Sequence, residues 1–408
     1  MTYRERLISL HYRAIVSLTI LTLSTLSAQS FTQFVQRLEK NSSVQRTVTV
    51  KKFFSSNHST PVIEQDSLLH FVFYGKAGSV GVNGNLQYWN APDELTKIEC
   101  GDSSFFYRTY VVPPNARLDY QLIVNGNYQI DPRNPNHTPS GFGTHSEVRM
   151  PKFIASPYLA FRKDIPHGTI DTVGPFRKIP SPLQRYFPAA RIIKVYRPAG
   201  YDTLMNLPSV YIHDGFEAID FASVPNIIDN LIAENKIQPI IAVFVPPVDR
   251  NGEYYGRMKD RYVKYLSDDL VPLIDHLYKT DSSPLKRAMM GISSAAYFSL
   301  YAVLSRSDVF QNVGGQSTTI TQSLINITKI QSGANRISPQ MKIYLDCGRF
   351  DIKENDNFNF LEMNRNYSAL LSSLRIPHYF KEVNDGHEWA SWRERMPGML
   401  IYFFGRYQ

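Results

Sequence analysis

From residue 191 to the C-terminus, short apolar runs alternate with helix-length segments, and this alternation constrains the fold more than any other feature. The runs are RIIKVYRP (191–198), SVYIHDG (209–215), IIAVFVPP (240–247), RAMMGIS (287–293), KIYLDCG (342–348) and HYFKEV (378–383). Most are nearly continuous in their apolar character, as strands covered on both faces must be. Between them, RYVKYLSDDLVPLIDHLY (261–278) and NFLEMNRNYSALLSSL (359–374) place apolar residues at helical spacing. Repeats of this kind read as βαβ units, so residues 189–408 are expected to form an α/β domain with a mostly parallel sheet flanked by helices.

Residues 62–150 follow another pattern. LLHFVFYG (68–75), FFYRTYVV (105–112) and DYQLIVNG (119–126) are strand-like, with Asn83-Gly84 and Asn125-Gly126 as hairpin-turn dipeptides between such runs. Strands at short spacing without helical pattern predict a small all-β sandwich. IDPRNPNHTPSGFG (130–143) is rich in Pro, Asn and Gly and reads as loop. Residues 29–61 read as a polar leader with one short helix at most, and residues 151–188 as a Pro-rich linker.

Residues 1–28 run from a basic stretch through the apolar AIVSLTILTLSTLS to small residues, the order of a secretory signal peptide cleaved after Ala28. The apolar run, Ala14 to Leu26, falls short of the ~20 residues that span a bilayer, and no other stretch approaches that length. The expectation is an exported protein, periplasmic or extracellular, with no stable membrane insertion after cleavage.

At 408 residues the chain suits two domains and can bury a core that needs neither metal nor disulfide. Its two cysteines, Cys100 and Cys347, make no metal cluster; both are expected to act as small hydrophobes, although a single bridge stays open. The net charge of +8 is spread along the chain, with no basic stripe or nucleic-acid module. No nucleic-acid partner is expected. The charge either steers an anionic substrate or is a solvated face.

The chemistry is concentrated in three places. AMMGISSAAYFSLYAVL (288–304) is an apolar strand running through Gly291-Ile292-Ser293-Ser294-Ala295 into a small-residue helix, the context of a nucleophile elbow. Glycine normally stands two residues after the serine; here it is Ala295. A serine nucleophile needs a base, and the base an orienting carboxylate. Asp351 follows KIYLDCG and His387 follows HYFKEV, in the order Ser, acid, His and at the C-terminal ends of strands, where sites in open α/β sheets gather. Oxyanion donors are expected from the Ser294 N–H and from Gly215 or Phe216 after SVYIHD. Asp214 is an out-of-order alternative for the acid.

These segments also carry a resemblance. IPHGTI, RIIKVYRPAGYD, SVYIHDG, RNGEYY, GISSAA, GRFD and GHEWASWR occur in the order found in the putative esterase family, which includes enterochelin, feruloyl and acetyl-xylan esterases and related acyltransferases. YGKAGSVGVNGNLQYWN, RLDYQLIVNG and DPRNPNHTPSGFGTHSEVRMP resemble the immunoglobulin-like, glycogen-binding-module-type domain that precedes several such esterases. The resemblance implies an α/β-hydrolase fold behind an immunoglobulin-like sandwich, with Ser293 as nucleophile, Asp351 as acid, His387 as base and Gly215 with Phe216 in the oxyanion loop. Arg250 and Glu253 of RNGEYY match a polar segment beside the family's site, or else form a structural ion pair; Trp389 is a further candidate substrate contact. Trp89 falls near a sugar-binding Trp of the wider family, although with Tyr88 it equally suits a cap on the sandwich core. The implied activity is hydrolysis of a carboxylic ester through an acyl-enzyme, without metal or organic cofactor. Its substrate would be a small-molecule or polysaccharide ester, either feruloyl or acetyl groups on polysaccharide or a siderophore-type ester. A secreted glycan-binding protein with an inactive hydrolase domain, and an acyltransferase using the same triad, remain as alternatives. The oligomeric state stays open.

Overall fold

A computed structural model describes residues 30–56, 59–141, 143–174 and 191–406. The expected signal segment lies outside the described residues.

The segment read as a leader forms two helices, α1 (Phe31–Lys40) and α2 (Ser43–Ser56). Ser30 caps α1, its hydroxyl accepting from the Gln33 N–H while the Gln33 side chain returns to the Ser30 N–H. Phe31, Phe34, Val35 and Leu38 share one face of α1 and bury against Val72, Ile98 and Phe105 of the sandwich. The segment's polar average conceals this single apolar stripe, which is why it reads as an unstructured leader.

The sandwich has two antiparallel sheets. One comprises β1 (Val62–Glu64), β2 (Leu68–Gly75), β6 (Ser103–Val111) and β5 (Thr96–Cys100), in that spatial order. The other runs β4 (Asp93–Glu94), β3 (Val80–Gly84), β7 (Arg117–Val124), β10 (Gly143–Arg149), β9 (His137–Ser140), with β8 (Asn127–Gln129) also on β7. Leu69, Phe71, Val82, Phe106, Leu118 and Tyr120 fill the space between them.

Asn125 and Gly126 both take positive φ and close the β7–β8 hairpin as expected. Asn83-Gly84 does not turn. It ends β3 in register with Gln121 and Tyr120 of β7, and a Cβ at Gly84 would sit 2.3 Å from the Asp119 carbonyl oxygen. The glycine therefore serves close strand approach. The 130–143 segment is not all loop either, since β9 pairs with β10 and places Pro139 on a sheet edge, where its missing N–H does no harm.

The second domain is an eight-stranded sheet in the order β11-β12-β14-β13-β15-β16-β17-β18. Its strands are β11 (Thr169–Val173), β12 (Ile193–Arg197), β13 (Ser209–His213), β14 (Ile241–Val245), β15 (Arg287–Ile292), β16 (Asn312–Gln316), β17 (Lys342–Phe350) and β18 (Tyr379–Gly386). From β14 through β18 every neighbouring pair is parallel; β11 and β12 are antiparallel additions. Part of the expected linker thus belongs to the sheet, as β11 on its edge.

The helices are α3 (Gly215–Asp220), α4 (Val224–Ala233), α5 (Arg250–Tyr254), α6 (Lys259–Lys264), α7 (Val271–Leu277), α8 (Ser293–Ser305), α9 (Gln322–Gly333), α10 (Phe360–Ser373) and α11 (Trp389–Phe404). The helix expected over 261–278 is present, but a π-helical turn at Tyr265–Leu270 joins α6 to α7. Two apolar cores, one on each face of the sheet, account for the continuous apolar strands. This arrangement is the α/β-hydrolase fold. No helix among the described residues is long and apolar enough to cross a membrane, and both cysteines are free and buried.

The two domains share a polar seam. The buried Arg117 of β7 donates to Asp119 and Glu147 in the sandwich and to the Ser391 hydroxyl of α11, 3.1 Å away. The Asn85 side chain lies against Gly386, leaving no room there for a Cβ. Asn90 donates to the Lys353 carbonyl, and Asn384 to the Asn115 side chain. The sandwich is thereby fastened to the segments beside both Asp351 and His387.

Candidate active site

Ser293 stands at the turn from β15 into α8 with φ +51°, a left-handed conformation unfavourable for a serine and held by its surroundings. The turn is tight. A Cβ at Gly291 would come 2.5 Å from the Ala295 carbonyl carbon, so position 291 accepts only glycine. Ala295, where glycine is usual, is fully buried, and the bare Gly291 backbone gives its methyl room. The Ala296 methyl faces Gly315 of β16, where a Cβ would approach it to 3.2 Å. Glycines on β15 and β16 thus supply the space that alanines on the helix take up.

Asp351 follows β17, after a register shift between Gly348 and Phe350. Its Oδ1 accepts from the Ile352 N–H at 2.8 Å and from His387 Nδ1 at 2.6 Å. Burial alone would raise its pKa, but the His387 imidazole, together with Ser317 and Arg395, outweighs this and holds the carboxyl below its usual value. His387 follows β18, and its Nε2 lies 3.0 Å from Ser293 Oγ. An ionised Asp351 selects the tautomer protonated on Nδ1, which leaves Nε2 to accept the serine hydroxyl proton. Phe360 and Trp392 flank the imidazole edge-on, with ring centroids at 5.0 and 4.8 Å. The structure therefore brings Ser293, His387 and Asp351 into one hydrogen-bonded chain.

Gly215 opens α3 and Ser294 is the second residue of α8, positions whose N–H groups have no partner within the helix. A Cβ on Gly215 would lie 2.5 Å from the backbone of Phe244 and Val245. Phe216 is the second residue of the same helix, with Lys194 Nζ 4.8 Å from its ring centroid. Asp214 is no member of the chain. It is held by Arg250 Nη2 at 2.8 Å and by the Tyr254 hydroxyl at 3.0 Å. Arg250 is thus an ion-pair partner that anchors the loop before Gly215. Glu253 is buried, paired with Arg191 and bonded by the Val248 N–H, so it offers nothing to a substrate. Trp389 is also buried, packed on Trp392 and Phe221.

Sequence reasoning missed the support behind His387. Trp392 Nε1 donates to Ser317 Oγ at 2.9 Å, and Arg395 is shared between two buried carboxylates, Asp346 at 2.7 Å and Asp385 at 3.2 Å. Burial lifts both carboxyls, Asp385 to about 7, because one guanidinium cannot fully compensate two charges. The signal was present in GHEWASWRER, where positions 388, 392 and 395 share a helical face.

One group among the described residues has metal-ligand types in proximity: Asp119, His145 and Glu388. His145 Nδ1 lies 3.8 Å from Asp119 and 4.0 Å from Glu388, wider than the about 3.3 Å separating ligand atoms on a tetrahedral zinc. His145 and Glu388 border a cavity of about 350 Å³ at the domain seam, lined by Asn83, Trp89, Gln121, Tyr128 and His145 from the sandwich and by Ile352, His387 and Glu388 from the hydrolase. Trp89 is therefore a wall of this cavity and not merely a cap on the sandwich core.

The family described as "Putative esterase" matches residues 186–403, more than half of the chain. The chain belongs to this family. An endo-1,4-beta-xylanase/feruloyl esterase of Xylanibacter ruminicola is 25% identical over 308 residues, covering 70% of this esterase chain and 38% of the relative. The uncharacterized protein YbbA of Bacillus subtilis is 22% identical over 166 residues, 36% of this chain and 66% of its own length. The esterase chain thus spans under two-fifths of the first relative and about two-thirds of the second. In fold it is similar to the enterobactin esterase of Shigella flexneri (TM-score 0.66, 16% identity), with 86% of this chain and 97% of that chain covered. The ferric enterobactin esterase of Salmonella typhimurium is alike to the same degree (TM-score 0.67, 15% identity, 86% and 98% covered). Both likenesses extend well beyond the hydrolase domain into the sandwich.

Proposed function

We propose that the chain is a serine hydrolase of carboxylic esters, with Ser293, His387 and Asp351 as its triad. The observation that carries this reading is the unbroken hydrogen-bonded chain from Ser293 Oγ to Asp351, with Ser293 on a strained strand–helix turn. Ser293 Oγ attacks the ester carbonyl as His387 Nε2 takes its proton. The N–H groups of Ser294 and of Gly215 or Phe216 receive the oxyanion. Collapse expels the alcohol, protonated by His387, and leaves an acyl-enzyme. Water, deprotonated by His387, then releases the acid and restores Ser293. Asp351 keeps the imidazole in the required tautomer throughout. No step needs a metal or organic cofactor.

The substrate reading is an aromatic or acetyl ester, feruloyl or acetyl on polysaccharide or siderophore-type, and the feruloyl-esterase relative supports the first. The signal-like order of residues 1–28 supports export. The glycan-binding alternative rests on Ala295 and on the sandwich domain, and the room that Gly291 leaves for the Ala295 methyl counts against the first of these motives. Acyl transfer shares the same acyl-enzyme and differs only in the acceptor.

The test is hydrolysis of p-nitrophenyl acetate and methyl ferulate by the full chain beside Ser293→Ala. The reading expects turnover of at least one ester and its loss in the variant. Equal rates in both proteins, or none from a folded chain, would overturn it. Repeating the assay with a sugar alcohol present separates transfer from hydrolysis.

A further inference from the structure

The cavity at the domain seam has His387 in its wall, so whatever fills it sits against the residue proposed as the base. Its volume of about 350 Å³ lies at the lower end of the roughly 300–1,000 Å³ of small-molecule sites. Two ring nitrogens of its lining residues are buried without a hydrogen-bond partner, Trp89 Nε1 and His145 Nδ1, the latter 3.8 Å from the buried Asp119 carboxylate behind it. Buried polar atoms are almost always paired, and a set of orphans around one cavity points to groups that a ligand would supply. His145 and Asp119 are almost wholly buried.

The loop that presents Trp89 is strained and held by hydrogen bonds at several points. Tyr88 and Trp89 take φ of +54° and +59° in succession, a costly arrangement for two aromatic residues and of the kind found where a site imposes it. The Trp89 N–H bonds the Gly84 carbonyl at 3.0 Å, the Asn83 side chain holds the Asn90 carbonyl at 2.9 Å, and the Asn90 side chain reaches across to Lys353 of the hydrolase. Tyr128 is half exposed at the cavity's rim, its hydroxyl accepting from the Asn83 side chain at 3.3 Å. The indole lies 4.6 Å from the His145 ring.

We infer that the sandwich domain forms the acyl subsite of the esterase, and that Trp89 and Tyr128 bind a planar aromatic ring whose hydroxyl or methoxyl groups meet Trp89 Nε1 and His145. Two aromatic side chains and Ile352 give flat apolar walls, and the two unbonded ring nitrogens belong to the same wall. Glu388, whose carboxyl burial beside Asp119 pushes well above the usual carboxylate range, closes the cavity on the hydrolase side. The sandwich then selects the acyl group while the hydrolase performs the chemistry. This inference rests on the ester-hydrolase reading only in identifying the ring as part of the acyl group.

The test separates binding from catalysis. In the full chain carrying Ser293→Ala, methyl ferulate is titrated calorimetrically, with xylobiose in a parallel titration. The inference expects one methyl ferulate per chain. Adding Trp89→Ala should weaken binding by about tenfold or more, and Trp89→Phe, which keeps a flat ring but loses the N–H, by less. Tyr128→Ala, at an exposed position that folding tolerates, should weaken it several-fold even if Trp89→Ala fails to fold. In the chain that retains Ser293, Tyr128→Ala should raise KM for methyl ferulate more than it lowers kcat. Absence of methyl ferulate binding, binding indifferent to both positions, or xylobiose binding that depends on Trp89 while methyl ferulate binding does not, would overturn the inference. Binding through Trp89 without hydrolysis by the Ser293 chain would overturn the ester-hydrolase reading alone.

Discussion

The two sides of the site are built differently. Ser293 is placed by neighbours in sequence: Gly291 two residues before it, Ala295 two after, and the strand and helix that this turn joins. Asp351 and His387 are placed from far away, because the sandwich touches their loops through Arg117 to Ser391, Asn90 to Lys353 and Asn85 against Gly386. The Ser293 side is a local motif, whereas the Asp351–His387 side is a product of tertiary packing. A change at the turn should therefore act through chemistry or local strain, and a change at the seam should reach activity through stability and alignment.

Four substitutions sharpen that contrast, from the largest effect to the smallest. Asp351→Asn preserves shape but loses the charge that selects the His387 tautomer, so kcat on a p-nitrophenyl ester should fall by about 10³–10⁴-fold with little change in the thermal melt. Arg117→Met leaves Asp119 buried without its guanidinium partner and Glu147 with Arg149 alone. It should cost ~3–5 kcal/mol in urea unfolding and lower kcat, although Arg117 touches none of the three site residues.

The third prediction concerns pH. The folded chain holds the Asp385 proton up to about pH 7, whereas the unfolded chain releases it near its ordinary value of 3.8. The stability this group contributes is full below pH 4 and is lost as pH rises towards 7, at up to about 1.4 kcal/mol per pH unit. Asp385→Asn should flatten that slope. Asp351, whose pKa is depressed, acts in the opposite sense, and its contribution is lost as pH falls. Unfolding free energies of both proteins across pH 4–8 check this. Last, Ala295→Gly places the usual glycine two residues after Ser293, the proposed nucleophile. It should change kcat by less than about twofold and cost ~0.5–1 kcal/mol, because the turn already accommodates the methyl and glycine weakens a helix.

The same contrast explains what could be read from the sequence. The parallel strands announced themselves because burial on both faces leaves continuous apolar runs, as in β13, β14 and β15. β16, NVGGQ, did not: its glycines make room for Ala296, Met399 and Phe403, and a strand chosen for thinness has no apolar signature. β11 escaped because an exposed edge strand needs few apolar residues. Ser293, Asp351 and His387 were legible from type, order and position at strand ends. The roles of Arg250 and Glu253 were not, since an ion pair with Asp214 or Arg191 depends on partners that no spacing discloses. Trp89 could be noticed as an aromatic residue, but only the packing of the domains sets it beside His387.

The measurement that tests the account most directly is covalent labelling of the full chain with a fluorophosphonate, followed by mass spectrometry of the peptides. The account predicts one label per chain, on Ser293, absent from Ser293→Ala and strongly slowed in His387→Ala. A folded chain that takes up no label, or takes it up on another residue at the same rate in all three proteins, would contradict it.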